Sequence, residues 1–319
     1  MKPAILLIGT NGQVGRDLSR MLPRIGEVTP LDRQQLDLTQ PEEIRRAIRS
    51  SHPAFIVNAA AYTAVDKAES EEPLARAINA EAPAVMAEEA RKIDATLIHF
   101  STDYVFDGLK PFPYVEDDPP NPQNVYGKTK LEGERAIQAS GAAHLIFRTA
   151  WVYATAGRNF LLTILRLATE REELRIVRDQ VGAPTLSSEI AAATTNILAQ
   201  VRDSEGGPLP FVDVNGIYHL TAGGETSWYH FATAILEEAA ACPEASPWFA
   251  ATTRGLPLIA RRVIPIATAE YPTPARRPAY SVLSNARLNR TFSLQLPDWR
   301  KQLHSVFANP PAGISWKMH

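Results

Sequence analysis

The sequence predicts an α/β protein whose main part is a doubly wound parallel sheet, followed by a smaller C-terminal lobe. Short apolar runs alternate with longer amphipathic stretches from residue 1 to about residue 149. Such alternation is typical of parallel strands joined by helical crossovers. A glycine-rich turn follows the first apolar run, which is where sheets of the Rossmann type bind nucleotides.

Individual elements follow from the same alternation. Apolar runs predict strands, most of them buried on both faces, at residues 4–8, 55–57, 96–100, 144–147 and 216–220. Amphipathic stretches predict helices at residues 13–22, 41–49, 159–172 and 188–199. The second helix has the capping-box spacing of Thr39 and Glu42, with Pro41 in its first turn. We expect a turn at residues 203–208.

The regular alternation of apolar runs and amphipathic stretches ends near Trp151, which predicts two lobes. We assign residues 1–152 to a nucleotide-binding lobe, which about residues 186–221 are expected to rejoin. Residues 153–185 and 222–319 would then form the smaller, substrate-binding lobe. Proline and short segments dominate this last stretch, which favours a lobe wrapped over the strand ends.

Composition excludes several classes of function. The chain has 319 residues, with 33 Lys and Arg against 35 Asp and Glu. This balance argues against nucleic acid or an anionic membrane as a partner, because both require an excess of positive charge. One cysteine, Cys242, forms no internal disulfide or Cys-rich metal site, and no apolar run approaches the roughly 20 residues of a membrane span. We therefore expect a cytoplasmic protein.

The turn after the first strand has the chemistry of a dinucleotide site. Gly9, Gly12 and Gly15 surround Gln13 and Val14 at the start of the first helix. Glycines permit a tight turn, and the helix N-terminus offers free N–H groups to a pyrophosphate. The GxxGxxG spacing is typical of short-chain dehydrogenases.

A carboxylate and a guanidinium follow about 20 residues later, where such sheets bind the ribose of the cofactor. Asp32 would hold the ribose hydroxyls, and the adjacent Arg33 would accept a 2′-phosphate instead. A surface loop that merely begins at Asp32 is the alternative. The cofactor is thus NADPH or NADH, with both open at this stage.

Tyr126 and Lys130 lie four residues apart in a predicted helix, so they share one face. We expect the Lys130 ammonium to lower the pKa of the Tyr126 phenol from its usual value of about 10. A phenol so placed can protonate the alkoxide that forms when a carbonyl is reduced. An exposed tyrosine beside a solvated lysine is the alternative interpretation.

Thr102 and Asp103 end the strand predicted at residues 96–100. Ligands of open parallel sheets bind beyond the carboxyl ends of the strands. A hydroxyl at that edge can bind a substrate oxygen or the phenol of Tyr126. Alone, these residues would be explained by the tolerance of Ser and Thr for turns.

Seven ordered blocks resemble the dTDP-4-dehydrorhamnose reductases, a family of extended short-chain dehydrogenases. They are GTNGQVG (9–15), NAAAYTAVD (58–66), STDYVF (101–106), NVYGKTK (124–130), FRTAWVY (147–153), DQVGAPT (179–185) and PTPARRP (272–278). Together they extend from the first strand to about residue 280, nearly the whole chain.

The resemblance implies reduction of the 4-keto group of a dTDP-linked 6-deoxyhexulose by NADPH or NADH. The product would be dTDP-L-rhamnose, used in cell-surface polysaccharides such as the O-antigen. Tyr126 would donate the proton, Lys130 would tune it and bind the nicotinamide ribose, and Thr102 would adjust the proton transfer. The cofactor would contact Gly9, Gly12, Gln13, Val14, Gly15, Asp32, Arg33, Asp37, Leu38, Ala61, Tyr62, Thr63, Tyr126 and Lys130. The sugar nucleotide would contact Thr102, Asp103 and Trp151.

The resemblance also leaves alternatives open. Some members form a homodimer through a Mg²⁺ site; Asp17 matches one of its acids, whereas Ser188 and Ala286 stand in place of the others. Tyr104 follows Asp103 where related dehydratases have a glutamate, which favours a simple reductase. Another nucleotide-sugar reductase or epimerase remains an alternative. So does a non-enzymatic regulatory subunit like that of methionine adenosyltransferase.

Overall fold

Strands and helices alternate along the chain in the computed structural model, which describes residues 2–201, 214–241 and 246–308. The strands are β1 (Ala4–Ile8), β2 (Glu27–Leu31), β3 (Phe55–Asn58), β4 (Thr96–Thr102), β5 (His144–Thr149), β6 (Val152–Tyr153), β7 (Glu173–Val177), β8 (Val181–Gly182), β9 (Thr185–Leu186), β10 (Gly216–His219), β11 (Thr226–Ser227) and β12 (Arg262–Ile266). The predicted strands are confirmed.

The predicted helices are confirmed within two residues at each end. The helices are α1 (Gln13–Met21), α2 (Pro41–Ser51), α3 (Val65–Ala68), α4 (Glu72–Arg76), α5 (Ala82–Lys92), α6 (Val125–Ser140), α7 (Phe160–Glu170), α8 (Ser187–Val201), α9 (Trp228–Ala241), α10 (Pro247–Thr253), α11 (Ala286–Phe292) and α12 (Trp299–Ala308). A 3₁₀ turn at Asp103–Val105 and a π-helical turn at Ala77–Glu81 lie near the candidate site. Among the described helices, none has both the length and the apolar character that crossing a membrane requires.

Six parallel strands form the central sheet, in the order β2-β1-β3-β4-β5-β10. The strand order reverses between β1 and β3. Doubly wound sheets bind ligands beyond the carboxyl ends of their strands at this point of reversal. The loops that follow β1 and β3 therefore border the expected ligand crevice.

Alternate side chains of β1 enter two different cores. Leu6 and Ile8 pack with residues of α2, α5 and α6, whereas Ile5 and Leu7 pack with residues of α1, α8 and α11. Helices thus cover both faces of the sheet. This arrangement confirms the predicted doubly wound α/β fold.

A third core lies outside the sheet and holds the smaller lobe together. Side chains of α7, α9, α10 and α12 meet there, beside the two-stranded parallel pair β7 and β12. Leu288, Phe292 and Leu296 do not join it, although we assigned residues 222–319 to this lobe. They pack in the sheet core, where the ring of Phe292 lies tilted against that of Tyr218 of β10 with centroids 5.1 Å apart. We therefore propose that residues 286–296 belong to the larger lobe.

The predicted capping box at α2 is wrong. Gln40 is the N-cap residue and makes no side-chain cap. Asp37 instead accepts bonds from the backbone N–H and the hydroxyl of Thr39, at 2.9 and 2.8 Å. The helix starts one residue later than the spacing assumed, so Thr39 precedes the N-cap and its hydroxyl does not cap the helix. The turn predicted at residues 203–208 and Cys242 lie outside the described residues.

Candidate active site

The glycine-rich turn brings the end of β1 against the loop that follows β3. Gly9 has a φ of +89°, and a Cβ there would lie 2.6 Å from the backbone nitrogen of Ala60. A Cβ on Gly15 would collide with the carbonyl oxygen of Gly9. Gly12 is the N-cap of α1, so the first N–H groups of that helix point out of the turn. This cradle fits a pyrophosphate.

Gln13 and Val14 follow Gly12 in this turn, and their side chains make different kinds of contact. The Gln13 side chain donates to the Val152 carbonyl at 3.4 Å and accepts from the Asn159 amide at 2.8 Å. Val14 packs against the sheet core. The Gln13 side chain therefore joins the cradle to the start of the smaller lobe.

Polar groups surround the carboxyl end of β2. The Asp32 carboxylate accepts bonds from the Asn11 amide at 3.0 Å and from the Gln34 backbone N–H at 2.8 Å. Arg33 is exposed beside it. Hydrogen bonds from Thr39 hold the pKa of Asp37 below its usual range, and Leu38 packs against the core formed with α2. Asp32 therefore ties the glycine turn to the end of β2.

The loop after β3 contains Ala61, Tyr62 and Thr63. The buried Asn79 side chain accepts from the Tyr62 backbone N–H at 2.9 Å, and donates to the Tyr62 carbonyl at 3.1 Å and to the Thr129 hydroxyl at 3.2 Å. This links the loop to α6. The Tyr62 phenol donates to Glu71 at 2.5 Å, which raises the pKa of Tyr62 to about 12.

Thr102 and Asp103 lie at the carboxyl end of β4, as predicted. The Thr102 hydroxyl donates to the Asp103 carboxylate at 3.0 Å and accepts the Tyr104 backbone N–H at 3.1 Å. The second carboxylate oxygen of Asp103 is buried without a partner among the described residues. Burial raises the pKa of Asp103 to about 6, although the nearby Ser281 and Thr102 hydroxyls lower it.

Helix α6 brings Tyr126 to the same edge. Asn124 caps the helix by accepting the Gly127 N–H at 2.8 Å, and a Cβ on Gly127 would collide with the Tyr104 carbonyl. The helix start therefore packs directly on the turn that follows β4. Burial raises the pKa of Tyr126 to about 12; the nearby Thr102 hydroxyl lowers it and the charge of Asp103 raises it.

Lys130 lies one turn further along α6 and points into the protein. Its amine bonds to the Phe100 carbonyl at 2.6 Å and to His99 Nε2 at 2.9 Å. Burial lowers the pKa of Lys130 to about 7, although Glu134 opposes it. The predicted lowering of the Tyr126 pKa by Lys130 is therefore not found. The physical reason is that Lys130 is engaged by β4 and that burial dominates at Tyr126.

A cavity of about 730 Å³ opens beside this edge, in the smaller lobe. Its lining includes three aromatic side chains, Phe160, Trp228 and Tyr271, and three guanidinium groups, Arg171, Arg175 and Arg277. Trp151, predicted to contact substrate, stacks on Trp228 with centroids 3.5 Å apart and planes 6° apart. Trp228 thus forms the cavity wall and Trp151 supports it.

Arg277 joins the cavity to the larger lobe. Its guanidinium forms a two-point ion pair with Asp66, at 3.1 and 2.7 Å. The neighbouring Arg276 carbonyl accepts from the Asn124 amide at 2.8 Å. The segment that contains both arginines is therefore fixed to α3 and to the start of α6.

Asp17, the acid that matched one position of the Mg²⁺ site, lies in α1 and is buried. It pairs with Arg20 and accepts the Ser187 hydroxyl at 2.5 Å. Among the described residues, no group of three His, Cys, Asp or Glu side chains could hold a metal ion.

The profile of one family, described as the RmlD substrate binding domain, matches residues 1–310. The chain belongs to this family. The resemblance inferred from the seven sequence blocks is confirmed.

Relatives of the RmlD family resemble the chain over nearly its full length. The dTDP-4-dehydrorhamnose reductase of Burkholderia thailandensis is 48% identical over 297 residues, which is 93% of this chain and 95% of the relative. The enzyme of the same name from Escherichia coli K12 is 45% identical over 311 residues, covering 95% and 98%. A crystal structure of dTDP-4-dehydrorhamnose reductase from Bacillus anthracis in complex with NADP has a TM-score of 0.84 at 32% identity, covering 97% of this chain and 99% of that one.

Sequence reasoning missed three polar residues that this RmlD-family site uses. His99 contacts Lys130, Asn79 holds the loop after β3, and Asp66 holds Arg277. The sequence offered a signal for His99, because a histidine inside a fully buried strand is unusual. Asp66 and its partner Arg277 each stood in one of the seven blocks without an assigned role, whereas Asn79 carried no signal, since its partners are distant in the sequence.

Proposed function

We propose that this protein is an NADPH-dependent reductase that converts dTDP-4-dehydrorhamnose (dTDP-4-dehydro-6-deoxy-L-mannose) to dTDP-L-rhamnose. One observation carries the proposal: Tyr126 in the first turn of α6 and Thr102 at the end of β4 meet at the carboxyl edge of the sheet, the edge that the glycine turn after β1 also borders. The names of the relatives and the NADP-bound structure support the same activity.

The residues present fit a dinucleotide. The turn from Gly9 to Gly15 leaves no room for side chains at two of its glycines, so a pyrophosphate can approach the backbone. Asp32 lies where ribose hydroxyls bind, and the exposed Arg33 is free to pair with a 2′-phosphate, which favours NADPH over NADH. When bound, the nicotinamide supplies the hydride that reduces C4 of the sugar.

Tyr126 is the proposed proton donor to the sugar oxygen O4. A pKa raised to about 12 keeps the phenol protonated at neutral pH, which is the state that a donor requires. The neighbouring Thr102 hydroxyl is proposed to orient the phenol. Lys130 is proposed to bind the nicotinamide ribose one helical turn away.

The cavity of the smaller lobe is the proposed site for the dTDP part of the substrate. Aromatic side chains such as Tyr271 and Trp228 suit a planar base, and Arg277 suits the diphosphate. Asp103, with one carboxylate oxygen buried without a partner among the described residues, lies next to Thr102 at the end of β4. It is placed to bind a sugar hydroxyl.

The proposal is tested by following absorbance at 340 nm while the keto sugar is generated enzymatically in the presence of the protein and NADPH, and then NADH. We expect one cofactor to be oxidised for each dTDP-L-rhamnose formed, faster with NADPH. An epimerase would change the sugar without net oxidation of the cofactor. A regulatory subunit would bind the cofactor without turnover, and either result would contradict the proposal.

A further inference from the structure

Gln180 lies between β7 and β8, in the wall of the cavity that we assign to the dTDP part of the substrate. The residue is only 6% exposed, and its side chain lines that cavity. Its amide nitrogen lies 3.1 Å from the Thr268 hydroxyl oxygen. Its amide oxygen, Oε1, has no hydrogen-bond partner among the described residues, and it is not one of the unpartnered polar atoms that they seal from solvent.

A chain of hydrogen bonds fixes the orientation of the Gln180 amide. The Asp179 carboxylate accepts the Thr268 hydroxyl at 2.7 Å and the Thr268 backbone N–H at 2.9 Å. Burial opposes ionisation of Asp179, but the bonds from Thr268 outweigh it and keep its pKa below the usual range. Because the Thr268 hydroxyl gives its single proton to Asp179, its oxygen accepts from the NH₂ group of Gln180. Oε1 is therefore left facing the cavity.

The other side-chain acceptors in the lining of the cavity already take part in described contacts. Glu173 and Glu270 each form an ion pair with an arginine. Thr163 and Thr273 each donate their hydroxyl proton to a backbone carbonyl. Among the described lining residues, Gln180 thus offers the buried, uncharged acceptor that is left for a ligand.

Gln180 and Tyr271 are attached to the same short turn of the cavity wall. The turn begins at Thr268, whose carbonyl accepts the Tyr271 backbone N–H at 3.0 Å. Tyr271 lines the cavity and is 60% exposed, so its ring is accessible to a planar base. A base that stacks on an aromatic face presents its polar edge to the surrounding wall. Gln180 is the neutral acceptor in that wall.

We propose that Gln180 recognises the nucleobase of the substrate, with Oε1 accepting the N3–H of thymine. In a thymine nucleotide N3–H is the only hydrogen-bond donor of the base, and leaving such a group buried without an acceptor is costly. The class of base that fits is an imide, which thymine and uracil share, whereas N3 of cytosine carries no hydrogen. The inference deepens the proposed function and rests on it for the identity of the ligand in this cavity.

Binding of dTDP to the full-length protein, measured by calorimetry, tests the inference without turnover. Gln180→Met keeps the length of the side chain and removes the acceptor. We expect it to weaken dTDP binding about tenfold, because the N3–H loses its partner in a buried site.

An analogue that lacks the same donor completes the comparison. In 3-methylthymidine 5′-diphosphate a methyl group replaces the hydrogen on N3. Wild type should bind it about tenfold more weakly than dTDP. Gln180→Met should bind the two ligands about equally, since neither can form the bond.

A second variant keeps the test decisive where Gln180→Met does not fold. Thr268→Val removes the hydroxyl that holds the Gln180 amide, so that the NH₂ group is free to turn toward the base. It should weaken dTDP binding and reduce the preference for dTDP over the methylated analogue. Gln200→Met is the matched control, at a half-buried glutamine of α8 whose amide donates to Asn196 at 2.8 Å. It should leave both affinities unchanged.

The inference is overturned if wild type does not bind dTDP, or if Gln180→Met binds dTDP as tightly as wild type. It is also overturned if Gln180→Met abolishes the preference for dTDP over 3′-deoxythymidine 5′-diphosphate instead, because Oε1 would then bind the sugar hydroxyl. Failure of the reductase assay would leave the binding pattern intact. Unchanged binding in Gln180→Met would leave the reductase activity standing, so the two proposals fail separately.

Discussion

At the scale of single residues, Asp103 combines burial with an incomplete set of hydrogen bonds. Burial raises its pKa to about 6, above the usual value of about 3.9 for an unfolded chain. The folded protein therefore disfavours the ionised carboxylate. Stability is expected to fall as the pH rises from about 4 through about 6, and the loss persists at higher pH.

The first prediction is that Asp103→Asn raises the free energy of unfolding at pH 8 by about 2–3 kcal/mol, because the amide never ionises. At pH 3.5 the two proteins should be equally stable. Denaturant unfolding at both pH values measures this. A variant that is less stable at pH 8 would show that the carboxylate is not disfavoured.

Asp107→Asn serves as a control of opposite sign. Burial opposes ionisation of Asp107, but the Leu109 N–H and the Tyr114 hydroxyl, at 3.1 and 2.8 Å, outweigh it and lower its pKa. Its ionised form thus adds stability above the unfolded pKa, and this stability is lost as the pH falls. Asp107→Asn should therefore be less stable than wild type at pH 8.

Residue positions were more predictable than residue energetics. The spacing of Tyr126 and Lys130 gave their shared helix, because that relation is local. Their electrostatic relation was predicted wrongly, since it depends on His99 and Phe100, which come from another strand. Spacing within a helix contains no information about what lies opposite it.

At the scale of elements, the turn between β1 and α1 should not tolerate a side chain at Gly15, the glycine of this turn where an added Cβ would come nearest to the backbone. Gly15→Ala places a methyl group against the Gly9 carbonyl and should cost about 1–3 kcal/mol of stability, with a large loss of NADPH affinity. Thermal unfolding and cofactor titration measure the two effects.

Gly12→Ala is the matched control within the same turn. Its Cβ would lie 3.3 Å from the Gly9 carbonyl oxygen, a contact that a small shift relieves. It should cost less stability than Gly15→Ala. Equal losses of stability in the two variants would contradict the close approach of Gly15 to the Gly9 carbonyl.

Helix α6 is anchored to β5 by a buried ion pair. Glu134 and Arg148 have side chains 1% and 3% exposed. Glu134→Gln leaves the guanidinium charge unpaired and should cost about 3–5 kcal/mol. Glu132→Gln, on the same helix but 36% exposed in its pair with Arg76, should cost less than about 1 kcal/mol. Similar losses in the two variants would contradict a buried, energetically coupled pair.

Strand and helix positions followed from apolar periodicity, but the cap of α2 did not. The predicted cap failed because the N-cap is Gln40, one residue after Thr39. A shift of one residue at a helix start cannot be decided from spacing alone.

At the scale of the whole molecule, the ion pair of Asp66 and Arg277 joins residues 211 positions apart. It fixes one wall of the substrate cavity to the larger lobe. Asp66→Asn should raise KM for the dTDP sugar several-fold, because the wall is released, and should leave NADPH affinity unchanged. Steady-state kinetics and cofactor titration separate these effects.

Asp117→Asn is the corresponding control, since Asp117 forms an exposed ion pair with Arg287 away from the cavity. Its KM should match that of wild type. If Asp66→Asn also leaves KM unchanged, the ion pair does not shape the substrate site.

The main sheet was predictable because each buried strand is a continuous apolar run. The boundaries between the two lobes were harder to predict than the sheet. Leu288 and Phe292 follow a long stretch of the smaller lobe, yet pack in the core of the larger one. Only the three-dimensional structure shows that the chain comes back to the larger lobe at these residues.

The central claim is that Tyr126 donates the proton during reduction, and the turnover of Tyr126→Phe tests it most directly. We predict that kcat falls by about 10² or more, while NADPH affinity and thermal stability remain near wild type. Tyr280→Phe, which removes a phenol bonded to Glu225 at 2.7 Å, should retain its turnover. Near-normal kcat in a folded Tyr126→Phe protein would contradict the account.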